Sequence, residues 1–404
     1  MHATDVSIAL GDVTLRGTVT GAGPTVLLLH AGGEQRGVWA PVASQLAAAG
    51  LRTAAFDLRG HGESTGEATV LRAVAEDVVE MVRREPAPLV VVGASVGGLA
   101  AIAALGEPDI ARRVAGLILV DVVPHSDPDR VRAWLSESGL RDQRTELVED
   151  SLAAGSALHA TAVGSEVPML LVRGGQSPLT DPEVDRFLAD RRVTVTRVAD
   201  AGHLIAREAP DELARIVSEH ANTWLATAQV VQGAFDLQRV LGAEEVEHPG
   251  GTLHAHLRRV HNLLAEWNAT PRTRLAAICH ASYGTDGFAV ELLPTTDRPR
   301  LVKVIGPAAE DLVYLYGGCD RERTYRDLGR EPLAVIDRFT GTSRLVQGAD
   351  LHAFAVLTIA NELDVARHAR LPPSALTGIR SLVLALASYA PEEAARALAD
   401  EALA

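Results

Sequence analysis

The sequence predicts an α/β protein in which a doubly wound, mostly parallel sheet is followed by a second, mostly α-helical domain. Over roughly the first 225 residues, short apolar or β-branched runs alternate with amphipathic stretches. Continuous apolar runs between helices are typical of parallel strands that are covered on both faces. After about residue 228, long helical patterns replace this alternation. We therefore expect one domain at 1–226 and a helical domain at 227–404.

The elements follow in order along the first domain. Two runs of alternating polarity, 5–10 and 13–19, predict the opening strands. Continuous runs predict six more strands, at 25–30, 52–57, 89–93, 115–121, 168–172 and 193–198. Amphipathic stretches predict the helices between them, at 37–49, 70–85, 97–106 and 208–226. A simple connection needs fewer residues than 122–167, so this segment predicts an inserted lid.

The second domain has few strand signals. Short strands are predicted only at 288–293 and 301–306. Helical patterns occupy most of the remainder, at 231–241, 251–267, 271–283, 306–316, 349–368, 374–389 and 391–403.

Charge and cysteine content narrow the classes of function. The net charge of −14 at pH 7 argues against binding to nucleic acid or to anionic membranes. No window approaches ~18 uninterrupted apolar residues, so we expect no membrane-spanning helix. Two cysteines, Cys279 and Cys319, form no disulfide framework or metal motif, which favours a reducing cytoplasm. The expected partner is a small-molecule substrate, and the helical domain is a candidate surface for a homodimer.

A serine with the surroundings of a nucleophile lies in the motif GASVGG at 93–98. The motif joins a strand to a helix, and Ser95 at such a turn needs a strained backbone that small neighbours permit. His203 follows the last strand, where it can reach the same edge of the sheet. A histidine can accept and return the serine proton near neutral pH. We therefore predict that Ser95 is the nucleophile and His203 the base.

The loop after the strand at 25–30 supplies the predicted oxyanion hole. Small residues at 31–33 let backbone N–H groups approach a substrate oxygen. Gly32 is the preferred donor and Ala31 the second, together with the N–H group of Val96. In the inserted lid, the candidates for lining the pocket are Trp134, His125 and His159.

Four motifs carry a family resemblance. LLLHAGG at 27–33, FDLRGHGES at 56–64, the serine turn and AGH at 201–203 together resemble the α/β-hydrolase superfamily, above all its serine esterases and perhydrolases. The resemblance covers about residues 1–225. It implies the α/β-hydrolase fold, no cofactor for this domain, and a structural role for Asp57 and the residues up to Ser64. Epoxide hydrolase and dehalogenase chemistry is not expected, because those relatives use an aspartate nucleophile.

The acid of the catalytic triad departs from the family pattern. Related sequences carry it after the strand at 168–172, where Pro178 stands here. Proline cannot hold the imidazole tautomer, which is the function of the acid. Asp121 is the preferred substitute, since some family members use its position, and Asp181 is the second. The alternative roles are fixing a loop for Asp121 and capping a helix for Asp181, and a Ser–His dyad without an acid is a third hypothesis.

Histidines in the helical domain carry a second resemblance. The order of His256, His280 and Asp364 over 250–368 resembles the HD-type metal-dependent phosphohydrolases, and HASYGT at 280–285 resembles an uncharacterised family within them. The resemblance implies a divalent metal bound by these three residues. Ala281 replaces the aspartate of the HD pair, which removes an oxygen ligand. The alternative is a domain whose histidines only satisfy hydrogen bonds.

The sequence thus predicts a serine α/β-hydrolase that acts on an ester, thioester or activated carbonyl of a small to medium apolar metabolite. Pro178 motivates one alternative, a non-hydrolytic tailoring enzyme of secondary metabolism that catalyses cyclisation, C–C bond formation or dehydration on the same fold. A further alternative is a metal-dependent phosphohydrolase or oxygenase in the helical domain.

Overall fold

The computed structural model describes residues 3–138, 145–189, 193–288 and 290–389. The chain divides into two compact units, Met1–Ala228 and Gln229–Ala404. Across the described ranges, every helix is too short or too polar to cross a membrane.

An eight-stranded sheet forms the centre of the first unit, in the order β1-β2-β4-β3-β5-β6-β7-β8. β2 pairs antiparallel with β1 and with β4, and all other pairs are parallel. The predicted mostly parallel sheet is therefore confirmed. The strands are Ala3–Leu10 (β1), Val13–Thr20 (β2), Thr25–Leu29 (β3), Arg52–Phe56 (β4), Leu89–Ala94 (β5), Val114–Val120 (β6), Met169–Gly174 (β7) and Val193–Val198 (β8).

Helices cover both faces of this sheet. Alternate residues of β3 enter two different apolar clusters: Leu27 and Leu29 one, Val26 and Leu28 the other. Successive strand side chains point to opposite faces, so both faces are buried, as a doubly wound sheet requires. The helices are Ala40–Ala48 (α1), Leu71–Arg84 (α2), Val96–Ala104 (α3), Pro108–Ala111 (α4), Pro128–Glu137 (α5), Thr145–Ala153 (α6), Gly155–Gly164 (α7), Asp181–Leu188 (α8), Ile205–Glu208 (α9) and Pro210–Val240 (α10).

The segment between β6 and β7 contains three of these helices, α5, α6 and α7. It coincides with the insertion predicted at 122–167. α10 joins the helices predicted at 208–226 and 231–241 into one element of 31 residues.

The second unit is mainly helical, with two short hairpins. Its elements are Glu247–His248 (β9), Gly251–Thr252 (β10), Leu253–Glu266 (α11), Pro271–Cys279 (α12), Arg298–Gly318 (α13), Arg321–Thr324 (α14), Leu333–Ile336 (β11), Ser343–Val346 (β12), Gly348–His368 (α15) and Pro373–Ala385 (α16). The hairpin of β11 and β12 was not predicted.

Two strand predictions in this unit are wrong. Residues 301–306 lie in α13, where Leu301 and Ile305 are buried one turn apart on the same face. Burial at helical spacing therefore outweighs the strand preference of the valines between them. Of 288–293, the described residues form only an isolated bridge, between Thr285 and Phe288. The helix predicted at 391–403 lies outside the described residues.

A close contact between β6 and α10 gives a test of the packing. A Cβ atom at Gly116 would lie 1.9 Å from Cε3 of Trp224. We expect Gly116→Ala to lower the free energy of unfolding by about 1–3 kcal/mol, because the ring must move in a packed core. Urea unfolding measures it, with Gly164→Ala as a control, since a Cβ there would meet no atom within 4 Å. Equal stabilities of the two variants would contradict the packing of Trp224 on β6.

Candidate active site

Ser95 lies in a strained turn between β5 and α3. Its φ of 47° and ψ of −119° fall outside the regions that non-glycine residues ordinarily adopt. A Cβ at Gly93 would lie 2.5 Å from Cα of Gly98, and one at Gly97 would lie 2.7 Å from the carbonyl oxygen of His30. Glycine is therefore required on both sides of the serine. The N–H group of Val96, the first residue of α3, has no partner within the helix and is free for an oxyanion.

His203 is bound by Asp121. Asp121 directly follows β6, with a φ of 50°, and is 1% exposed. Its Oδ2 lies 2.9 Å from Nδ1 of His203, and its Oδ1 accepts a hydrogen bond from the Gly174 N–H group at 2.9 Å. Both carboxylate oxygens are thus held, and Nδ1 of the imidazole donates to the carboxylate. His203 Nε2 is left as the atom that can exchange a proton with a serine.

The structure brings Asp121, and not Asp181, to His203. Asp181 is the first residue of α8, and its Oδ1 pairs with Nη1 of Arg173 at 2.6 Å. Its side chain is 82% exposed, so it is wrongly predicted as a substitute acid. The N-cap of this helix is Thr180, which forms a capping box with Glu183. Asp181 therefore fulfils neither of its two predicted roles.

A cavity of about 410 Å³ brings the predicted site residues together. Ser95, His203 and Asp121 line it, as do Ala31, Gly32 and Val96 of the predicted oxyanion hole. The lid contributes an apolar wall that includes Val131, Trp134, Leu135, Leu147 and Leu152.

Two of the predicted pocket residues, His125 and His159, lie outside the cavity lining. His125 packs against Gly155, with ring atom Cδ2 3.0 Å from where a Cβ would stand, and does not line the cavity. His159 lies in α7 and does not line it either. Both are therefore wrong as pocket residues, and α7 reaches the cavity through its first residue, Gly155.

Ser95 and His203 face the same cavity without a hydrogen bond between them in the described structure. Catalytic hydrogen bonds are often long before substrate binds and tighten in the complex. Trp134 of the lid contacts the imidazole of His203, with the ring centroids 4.8 Å apart and the planes at 71°.

Asp57 has the structural role that the resemblance implies. It is fully buried and accepts hydrogen bonds from the backbone N–H groups of Arg36 and Glu63, and it pairs with the Arg36 guanidinium. These bonds tie the turn at 57–64 to the segment after the oxyanion loop.

Sequence reasoning missed one buried charge pair beside the cavity. Nη2 of Arg130 in α5 donates to both carboxylate oxygens of Glu183 in α8, at 2.5 and 2.6 Å. No local pattern links these two residues, which are 53 positions apart.

The predicted metal ligands of the second unit do not face a common point. Oδ2 of Asp364 lies 2.7 Å from Nδ1 of His256, whereas Nε2 of His280 lies 3.3 Å from Nε2 of the same ring. Asp364 and His280 are therefore on opposite sides of the His256 imidazole, and one ion cannot bind all three. The Nε2 side is faced instead by the neutral amide oxygen of Asn361, at 3.1 Å. Among the described residues, no three His, Cys, Asp or Glu side chains are arranged to bind a metal ion.

Asp364 belongs to a buried ion-pair network. Arg259 donates to both of its carboxylate oxygens, at 2.7 and 2.9 Å. Burial alone raises the pKa of Asp364, but the hydrogen bonds from His256 and Arg259 outweigh it and hold the pKa at about 2. Burial and the neighbouring His256 lower the pKa of His280 to about 3, so this ring is neutral at pH 7.

With its strand order and the strand-to-helix turn at Ser95, the first unit has the α/β-hydrolase fold. Residues 22–134 match the family described as serine aminopeptidase S33. Residues 237–321 match a domain of unknown function, DUF6817, which leaves the HD-type resemblance of the second unit a prediction.

Similar curated proteins are esterases. Protein phosphatase methylesterase 1 of Bos taurus is 31% identical over 142 residues, which is 33% of this chain and 37% of that protein. Pimeloyl-[acyl-carrier protein] methyl ester esterase of Nitrosospira multiformis is 29% identical over 199 residues, which is 48% of this chain and 72% of that protein. The chain spans less than half the length of the methylesterases it matches.

Similar solved structures align with about half of the chain. The thioesterase domain from the curacin biosynthetic pathway is 22% identical, with a TM-score of 0.44, and the alignment covers 54% of this chain and 99% of that domain. A thermophilic esterase from Thermogutta terrifontis is also 22% identical, with a TM-score of 0.44, and the alignment covers 56% of this chain and 100% of that esterase.

The network around Asp364 predicts how the second unit responds to mutation and to chelation. We expect Asp364→Asn to destabilise it by about 3 kcal/mol, because the substitution leaves Arg259 without its buried partner. An excess of EDTA should leave the thermal midpoint unchanged, since the three residues do not form a ligand set. Thermal unfolding followed by circular dichroism measures both. A midpoint that falls with EDTA and recovers with a divalent metal would contradict the metal-free network.

Proposed function

We propose that the chain is a serine hydrolase that cleaves an ester or thioester of a small to medium apolar acyl group. The observation that carries the proposal is the His203–Asp121 hydrogen bond beside Ser95 in one cavity. A strained serine, a histidine oriented by a buried carboxylate and nearby backbone N–H donors are the parts that acyl transfer requires.

The proposed reaction has two halves. Ser95 Oγ attacks the carbonyl carbon and gives its proton to Nε2 of His203, while Asp121 stabilises the imidazolium. The carbonyl electrons move onto oxygen, which accepts hydrogen bonds from the N–H groups of Gly32 and Val96. Collapse of this intermediate expels the alcohol or thiol, which takes the proton from His203. Water then attacks the acyl-enzyme by the same route, releasing the acid and free Ser95.

The size and lining of the cavity support an apolar acyl group. Its lid wall is built mainly from valine, leucine and tryptophan side chains, and a volume of about 410 Å³ is within the range of small-molecule sites. The names of the curated relatives, a protein phosphatase methylesterase and a methyl ester esterase, support an ester as the scissile group.

The non-hydrolytic alternative has lost the observation that motivated it. Pro178 suggested a site without an acid, but Asp121 contacts His203 from the end of β6. A carboxylate in this position favours ordinary hydrolysis, because it holds the imidazole tautomer that the base requires.

A covalent probe tests the nucleophile. A fluorophosphonate should label the purified chain once, at Ser95, since it phosphonylates an activated serine and Ser95 shares its cavity with a histidine that is bound to a carboxylate. Ser95→Ala should abolish labelling, which mass spectrometry of the intact chain reports. Labelling that persists in Ser95→Ala, or none in the wild type, would refute the serine mechanism.

Matched substitutions test the acid. We expect Asp121→Asn to lower kcat for a p-nitrophenyl ester by roughly 10⁴-fold, because an amide favours the wrong tautomer of His203. Asp181→Asn removes a carboxylate from the same region but should change kcat less than about 2-fold, because this side chain is exposed and bound to Arg173. Circular dichroism checks that both variants fold. A large loss in Asp181→Asn, or a small one in Asp121→Asn, would reassign the acid.

A further inference from the structure

The lid helix α5 is attached to the segment where the family pattern places the acid. Glu183 of α8 accepts hydrogen bonds from the Asp127 N–H group at 2.8 Å and from the Thr180 N–H group at 2.9 Å, in addition to those from Nη2 of Arg130. Arg130 also donates to the carbonyl oxygen of Pro178. The start of α5 is therefore anchored to residues 178–183.

This anchor is buried and charged. Glu183 is 6% exposed. Burial alone raises its pKa, but hydrogen bonds from the Thr180 and Asp127 N–H groups and from Arg130 outweigh it and keep the pKa below its ordinary value. The carboxylate is thus ionised at neutral pH and binds α5 by charge-assisted hydrogen bonds, which are stronger than neutral ones.

The anchored helix also carries Trp134. Trp134 is four residues after Arg130, so the two side chains share one face of α5. That face meets the cavity, and the indole makes an edge contact with the imidazole of His203. Asp121 holds His203 only at Nδ1, so the imidazole can still pivot about that bond. The position of Nε2 relative to Ser95 depends on what packs against the ring.

We propose that Trp134 is a positioning residue for His203, and that the Arg130–Glu183 ion pair holds it in place. The indole limits the pivoting of the imidazole about its bond to Asp121 and directs Nε2 towards Ser95. This inference rests on the proposed serine hydrolase. It gives the lid a part in the proton transfer itself, beyond forming a wall for the acyl group.

A substrate too short to use the lid separates positioning from wall formation. With p-nitrophenyl acetate, we expect Trp134→Leu to lower kcat by about 10-fold with little change in KM, since small misplacements of a catalytic group are costly. Trp134→Phe keeps an aromatic ring against His203 and should recover most of kcat. If the indole were only a wall, Trp134→Leu would leave the acetate kcat unchanged and raise KM for p-nitrophenyl octanoate.

Two further variants sharpen the comparison. Glu183→Gln should lower the acetate kcat in the same direction as Trp134→Leu, because Arg130 loses its charged partner. Trp224→Leu is the matched control, since Trp224 also makes an edge contact with a histidine, His220, but lies outside the cavity. It should change kcat less than about 2-fold in protein that circular dichroism shows to be folded.

A readout without turnover keeps this inference distinct from the proposed function. The fluorescence of Trp134, taken as the difference between the wild type and Trp134→Phe, should change when His203 is replaced by alanine. If the wild type neither turns over esters nor reacts with a fluorophosphonate, the proposed function fails while the fluorescence still reports the contact. The positioning role is overturned if esters are cleaved but Trp134→Leu retains the full kcat on p-nitrophenyl acetate. It is also overturned if the fluorescence of Trp134 does not change in His203→Ala.

Discussion

The close approach of β5 to α3 is the constraint on which the first unit depends. Gly93 and Gly98 meet across the turn, and Gly97 lies against the carbonyl oxygen of His30, so no side chain fits at either approach. This contact holds Ser95 at its positive φ and places the start of α3 beside the oxyanion loop. The turn therefore fixes where the oxyanion donors lie and how far His203 is from the serine.

The parallel sheet explains why the acid can move without loss of the site. β6 lies between β5 and β7, and the three strands end at the same edge. A carboxylate after β6 therefore reaches the same histidine as one after β7 would. Asp121 binds His203, and residues 178–183 contact the lid helix instead, through Glu183 and Pro178. Pro178, which stands where the resemblance places the acid, is thus part of the segment that holds the lid helix.

In the second unit, the order of His256, His280 and Asp364 along the chain matches a metal site, but their side chains do not converge on one point. An imidazole offers two nitrogens on opposite sides of the ring, and a shared ion requires ligands to converge on one of them. Asp364 binds the Nδ1 side of His256 and also pairs with the half-buried guanidinium of Arg259. On the Nε2 side, Asn361 supplies an amide where a metal site would gain from a charged oxygen.

The sequence by itself determined the layered sheet and its order of elements from hydrophobic periodicity, and the serine turn and the histidine loop from their motifs, because burial on two faces and a strand-to-helix turn leave local patterns. It preferred Asp121 to Asp181 only through the family resemblance, since the acid that binds His203 depends on which strand end faces that residue. The sequence likewise could not predict the Arg130–Glu183 ion pair or the positions of His125 and His159 outside the cavity lining. Nor could it predict which side of the His256 ring Asp364 binds. These depend on the direction of side chains that are distant in sequence, which only the packed tertiary structure decides.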